Sequence, residues 1–95
     1  MKFSEILEPL RSGVTVRRIA WDGKWIVRQI PQRIQAEVIP KMTSLPDSAK
    51  TLCETGIAYH DQVLLIEDTR REVLEATSYT PTWADLFADD WVLVL

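Results

Sequence analysis

Residues 78–91, SYTPTWADLFADDW, gather Tyr79, Trp83 and Trp91 around Thr80, Pro81 and Thr82, with carboxylates at Asp85, Asp89 and Asp90. Aromatic side chains of this kind can stack on a flat ring such as a nucleobase. Thr82 followed three residues later by Asp85 resembles a capping box, with the shorter Asp in place of the usual Glu, and predicts a helix start. Thr80 is a rival cap, which would put Pro81 at the favoured first helical position. Either start leaves backbone N–H groups beside Tyr79, where an anion is stabilised. The plainer reading of the same residues is a well-capped short helix.

A second cluster comprises Arg17, Arg18, Trp21 and Trp25. Arginine can pair with phosphate through two parallel donors, and indole can stack on a base. The competing reading is a solvated hairpin face with its tryptophans in the core. Catalytic candidates are weaker. Asp89 and Asp90 adjoin, and neighbours on a helix end do not face one site. His60 with Asp61 could form part of an acid–base pair, but no motif marks a serine or cysteine nucleophile to go with them. Cys53, in AKTLCETG, falls on the apolar side of an expected helix. One histidine and one cysteine do not make a zinc cage. These residues point to a binding protein with no metal or cofactor, not to an enzyme.

The chain has 95 residues, of which 46% are hydrophobic, so a single domain over residues 1–95 with a modest core is expected. A net charge of −3 argues against a nucleic-acid polymer as partner, since such binders carry a basic face. One cysteine allows no intrachain disulfide. MKFSEILEPL lacks a signal-peptide core, and no apolar run approaches the roughly 20 residues of a membrane helix. A soluble protein of a reducing, intracellular compartment follows as the expectation.

The elements that must position these residues can be read in order. SEILEPLRSG predicts a helix capped by Ser4 and ended by Gly13, with Ile6, Leu7 and Leu10 on one face. Pro9 would shorten or bend it. VTVRRIAW and KWIVRQI read as strands joined at Asp22–Gly23, in a hairpin whose loop has room to exceed two residues. A strand near Ile34–Ile39 and a short helix in PDSAKTLCETG, starting at Ser44 or Asp47, occupy the proline-punctuated middle. QVLLIED and VLEATSY form a second strand pair around the polar turn DTRRE. The helix of TPTWADLFADDW and a final strand, WVLVL, buried on both faces, complete the chain. The fold class is α+β: a small antiparallel sheet built from hairpins, with short flanking helices.

In that order the whole chain resembles the Thoeris anti-defence sponge proteins of the second type. FSEILEPLRSGVTVRRIAWDGK carries their short helix, glycine and basic strand, ending in Arg-x-x-Trp and a Gly-Lys turn. Arg18, Trp21, Gly23 and Lys24 fall on those positions. IAYHDQVLLI is a weaker match. YTPTWADLFADDW resembles an aromatic-Thr-Pro-Ser, a spacer, then Asp-Leu-Leu-Ala-x-Asp-Trp. Thr80, Pro81, Asp85, Leu86, Ala88, Asp90 and Trp91 match it. The chain departs from the pattern at Tyr79 for tryptophan, Thr82 for serine, Trp83 for glutamine and Phe87 for leucine. Trp25 stands where a small residue is frequent.

The resemblance implies a phage-encoded homotetramer in the cytoplasm of the infected bacterial host. It implies capture, without cleavage, of a cyclic ADP-ribose isomer (glycocyclic ADP-ribose) made by a bacterial TIR immune enzyme. Ligand is held between subunits in this family, and some members also hold cyclic dinucleotides at a separate site. On this reading Trp21 and Tyr79, with Trp25 or Trp83, are stacking walls and Arg18 pairs with phosphate. Thr80, Thr82 and the helix start after them supply hydrogen bonds. Trp91, Leu86 and Ile6 go to the core, and Asp85 to the cap. Stacking contributes roughly 1–3 kcal/mol per base against the about 12 kcal/mol of a nanomolar complex, so charge-assisted bonds must supply much of the rest. Two rivals remain: a module that binds a host protein through exposed aromatics, and an enzyme that cleaves the signal.

Overall fold

The computed structural model describes residues 1–95. Its helices are α1 (Phe3–Arg11), α2 (Asp47–Leu52) and α3 (Trp83–Phe87), with a 3-10 segment over Ala36–Lys41. Its strands are β1 (Thr15–Arg18), β2 (Lys24–Gln29), β3 (Gln32–Ile34), β4 (Ile57–Tyr59), β5 (Gln62–Glu67), β6 (Glu75–Ser78) and β7 (Trp91–Val94). One antiparallel sheet has the order β6-β5-β2-β1-β7, and a two-stranded sheet pairs β3 with β4. The architecture is α+β, as the sequence predicts. Two compact units are present, one from Met1–Gln29 with Gln62–Leu95 and the other from Ile30–Asp61.

In the first unit, register decides which side chains meet. Val16 lies opposite Ile26 on β2 and Leu93 on β7, and Ile26 lies opposite Leu65 on β5. Strand side chains alternate between faces, so this row shares one face with Trp91. Against that face α1 buries Ile6 and Leu10, and the five residues Ile6, Leu10, Val16, Ile26 and Trp91 form the core. Leu7, expected on the same helix face, is instead half-exposed. The opposite sheet face carries Trp25, Val27, Leu64, Ile66, Val92 and Val94.

The ends of α1 differ from expectation. Lys2, not Ser4, is the N-cap, and its N–H donates to the Glu5 carboxylate at 2.8 Å. Pro9 is accommodated inside α1, which continues to Arg11. At this position proline forfeits only one helical hydrogen bond in a helix already near its end. Gly13 at φ +97 then turns the chain into β1. The β1–β2 connection, residues 19–23, exceeds two residues. Arg17 pins it by donating from Nη1 to the carbonyls of Arg18, Ile19 and Trp21 at 3.2, 3.3 and 3.0 Å.

In the second unit the strand expected at Ile34–Ile39 is displaced. β3 ends at Ile34, and residues 36–41 wind into the 3-10 segment, with Pro40 inside it. Proline has no N–H for a sheet ladder, which disfavours a strand there. α2 starts at Asp47, one of the two starts the sequence offers, with Pro46 in the N-cap position. β4 spans three residues, with Ala58 exposed between the half-buried Ile57 and Tyr59. It starts beside Gly56 at φ +106, where a Cβ would meet the Ile34 carbonyl oxygen at 2.5 Å. Only glycine fits that approach.

β7 also departs from expectation. It is an edge strand paired with β1 alone, not a strand buried on both faces. Trp91 is buried, but Val94 and Leu95 are exposed.

Candidate functional site

β6 and β7 form opposite edges of the five-stranded sheet. Four inter-strand spacings make that width roughly 19 Å. β6 and β7 run parallel, and β6 ends away from the β1–β2 loop while β7 starts beside it, so the connection over residues 79–90 must return across the core face of the sheet to reach that loop. This crossing brings the two sequence clusters together.

The crossing is organised by Asp85. Thr82 is the N-cap of α3, its Oγ1 accepting from Asp85 N–H at 3.1 Å, while Asp85 Oδ2 accepts from Thr82 N–H at 3.2 Å. This is the capping box, and it places Pro81 before the cap rather than at the first helical position. Thr80 is not the cap. Asp85 is 7% exposed, and its carboxylate collects further donors. The Tyr79 hydroxyl donates to Oδ2 at 2.8 Å and Arg18 Nη1 to Oδ1 at 3.3 Å. Arg18 Nε donates to Asp90 Oδ1 at 2.9 Å. The Trp91 indole N–H donates to the Asp85 carbonyl at 2.9 Å, which ties this cluster to the core.

Burial alone would push the Asp85 carboxyl up. The hydrogen bonds from Tyr79, Thr82 and Arg18 outweigh it and hold the group below the usual carboxylate range. The Arg18 hydrogen bond lowers Asp90 in the same direction. Burial first, and then the Asp85 carboxylate, push the Tyr79 phenol well above its ordinary value. At neutral pH Tyr79 is a neutral donor, while Asp85, Asp90 and Arg18 are ionised. Two carboxylates and one guanidinium leave one net negative charge in this group.

In front of Asp85 lies a recess of about 370 Å³, lined by Trp21, Lys24, Leu65, Ser78, Tyr79, Thr80, Thr82 and Asp85. Ligand pockets commonly span 300–1,000 Å³. The Trp21 and Tyr79 rings lie 6.2 Å apart at 74°, so they form a corner rather than a parallel slot. A flat ring could stack on one and touch the edge of the other. Trp21 is itself braced edge-on by Trp91 at 5.1 Å. Hydroxyls of Ser78, Thr80 and Thr82 stand beside the corner.

Four of the seven residues expected to bind ligand, Trp21, Tyr79, Thr80 and Thr82, therefore line one recess. Arg18 stands outside the lining, in ion pairs with Asp85 and Asp90. Trp25 faces the other side of the sheet from Ile26 and the core. Trp83 is 73% exposed and stacks on Phe87, itself 80% exposed, at a centroid distance of 5.6 Å. Leu86, expected in the core, is instead 38% exposed. α3 has five residues, and Asp85 is its buried position. The capping box, not an apolar stripe, sets which way that helix turns. The capping box also occupies the N–H groups of Thr82 and Asp85, which the sequence reading leaves open for an anion.

Lys24, Leu65 and Ser78 were missed. Leu65 and Ser78 sit on strands and show no sequence signal for a site. Lys24 follows the Asp-Gly turn and falls on the Gly-Lys position of the family pattern, but neither signal marks it as lining a site. Among the described residues no group of three or more His, Cys, Asp or Glu is placed to hold a metal. No helix is long and apolar enough to cross a membrane.

Comparison with known families matches residues 1–94 to the Thoeris anti-defense 2-like domain. No curated protein matches the chain.

Proposed function

The chain belongs to the Thoeris anti-defense 2-like family, and on that premise we propose that it counters Thoeris immunity as a sponge. It takes up a cyclic ADP-ribose isomer, glycocyclic ADP-ribose, made by a bacterial TIR enzyme in the infected host's cytoplasm, and withholds it without cleavage. The observation that carries this reading is the Trp21–Tyr79 corner with hydroxyls on its rim. Adenine takes an aromatic face, and the hydroxyls of Thr80 and Thr82 bond the ribose or phosphate oxygens. The Tyr79 hydroxyl is held by Asp85, so the ring is oriented before ligand arrives. Such preorganisation reduces the entropy lost on binding.

Retention without cleavage agrees with the state of Asp85. Its carboxylate already accepts from Tyr79, Thr82 and Arg18 and is held ionised. A carboxylate so saturated is a poor base toward water or a ribose hydroxyl. Arg18 serves the recess through Asp85, by fixing the carboxylate that fixes Tyr79.

The direct test is to incubate the TIR product with the protein, remove small molecules, and heat the protein. Intact ligand should be released. A cleaved product would convict an enzyme, and a signal left in solution would favour a protein-interaction module. The exposed Trp83–Phe87 pair is the feature that supports that second reading. Tyr79→Ala should weaken capture about 10–100-fold, the range of a lost stacking partner.

The same reading includes a homotetramer. The sheet face bearing Trp25, Val27, Leu64, Ile66, Val92 and Val94 is more apolar than a solvent-facing surface needs to be. The edge strand β7 also ends in exposed Val94, and exposed Leu95 follows it. Exposed apolar edges invite pairing. Light scattering should therefore give a mass near four times 10.9 kDa. A particle of one chain mass at micromolar concentration would refute the assembly. A second site for cyclic dinucleotides belongs to the same proposal.

A further inference from the structure

We propose that Lys24 is the cation that receives the ligand's phosphate in this recess, in the role the sequence suggests for Arg18. The inference rests on the sponge reading. Arg17, Arg18 and Lys24 are the basic side chains of β1 and β2 at this end of the sheet, and the two arginines are committed. Arg17 spends Nη1 on three carbonyls of the β1–β2 loop. Arg18 is divided between Asp85 and Asp90.

Lys24 differs. It is the first residue of β2, directly after the Gly23 turn, and it lines the recess together with Tyr79 and Thr82. Its Nζ lies 6.0 Å from the Trp21 ring centroid, which sets the ammonium beside the surface where a base would stack. Its cross-strand neighbour is Glu67, yet Lys24 forms no ion pair with it or with any other carboxylate.

Charge balance gives Lys24 its importance. Arg18, Asp85 and Asp90 together leave one negative charge behind the recess, which opposes an entering anion. Lys24 cancels that charge. A lysine ammonium is a compact charge with three donors on a mobile stem. It can therefore follow a phosphate or pyrophosphate without the fixed geometry a guanidinium fork demands. The ligand class that fits is one in which a phosphate lies close to a flat ring, so that one molecule meets Trp21 and Lys24 together.

The test compares Lys24→Met and Lys24→Arg with the unaltered protein. Methionine keeps the aliphatic stem over Trp21 and deletes the charge. Each protein is titrated calorimetrically with the same cyclic ADP-ribose isomer at low and high salt. Lys24→Met should weaken binding about 10–100-fold, the effect of one hydrogen bond to a charged group. It should also flatten the salt dependence. Lys24→Arg should stay within a few-fold of the unaltered protein and keep that dependence. Binding by Lys24→Met equal to that of the unaltered protein overturns the assignment of Lys24 while leaving the sponge reading intact. No binding by the unaltered protein overturns both.

Discussion

Trp91→Ala should lower folding stability by about 3–5 kcal/mol, the usual range for a large aromatic removed from a core. The indole is fully buried. Phe3 meets it edge-on at 5.5 Å and Trp21 at 5.1 Å, so its loss opens a cavity between α1 and the sheet. The Asp85 carbonyl also loses the indole N–H that donates to it at 2.9 Å. Urea unfolding should show a much lower midpoint with an unchanged slope. Because Trp21 leans on Trp91, ligand capture should weaken as well, at temperatures where the variant is still folded. Unaltered stability would mean that Trp91 is not the centre of the core.

Asp85→Ala should have the second-largest effect, about 2–4 kcal/mol. That is somewhat under the cost of breaking a fully buried pair, because Arg18 retains Asp90 and some contact with water. The Tyr79 hydroxyl and the Thr82 N–H lose their acceptor, and α3 loses half its capping box. The pH dependence gives a second reading of the same residue. Its carboxyl is depressed in the folded protein, so the unfolded chain binds the proton more readily. The stabilisation is therefore present above the unfolded value, near 4, and is lost as pH falls through the lower folded value. Asp90 is shifted the same way and contributes to the same acid limb. Asp85→Asn, which cannot ionise, should make stability less sensitive to pH below about 4 while retaining the part due to Asp90. An acid limb identical to that of the unaltered protein would show that Asp85 is not held ionised by Tyr79, Thr82 and Arg18.

Residues 78–91 divide only in part into a recess-lining front and a core-packing back. Tyr79, Thr80 and Thr82 do line the recess, and Trp91 is core. Trp83, Leu86 and Phe87 belong to neither. Tyr79 also belongs to both sides, since its ring packs against the core cluster and its hydroxyl bonds Asp85. Tyr79→Phe is therefore the cleaner probe of the network, because it keeps the ring and removes one donor.

The sequence by itself determined the α+β class, the two strand pairs of the main sheet, a capped helix start at Thr80 or Thr82 and the burial of Ile6. Those features rest on local patterns: period-two alternation, an Asp-Gly turn, and a hydroxyl three residues ahead of a carboxylate. It also supplied the family pattern at both ends of the chain. Tertiary structure alone decided which cation meets the recess. Arg18 and Lys24 are both basic residues on adjoining strands, and nothing local separates them. The connection from β6 to β7 crosses the sheet and sets Asp85 and Asp90 against Arg18, more than sixty residues away in the chain. Lys24, near the same corner, is left facing the recess without an ion pair. Tertiary structure also turned Trp83 and Phe87 outward. Helical periodicity says only that such side chains can share a face, and here the carboxylate network, by drawing Asp85 inward, selects which face of α3 is buried.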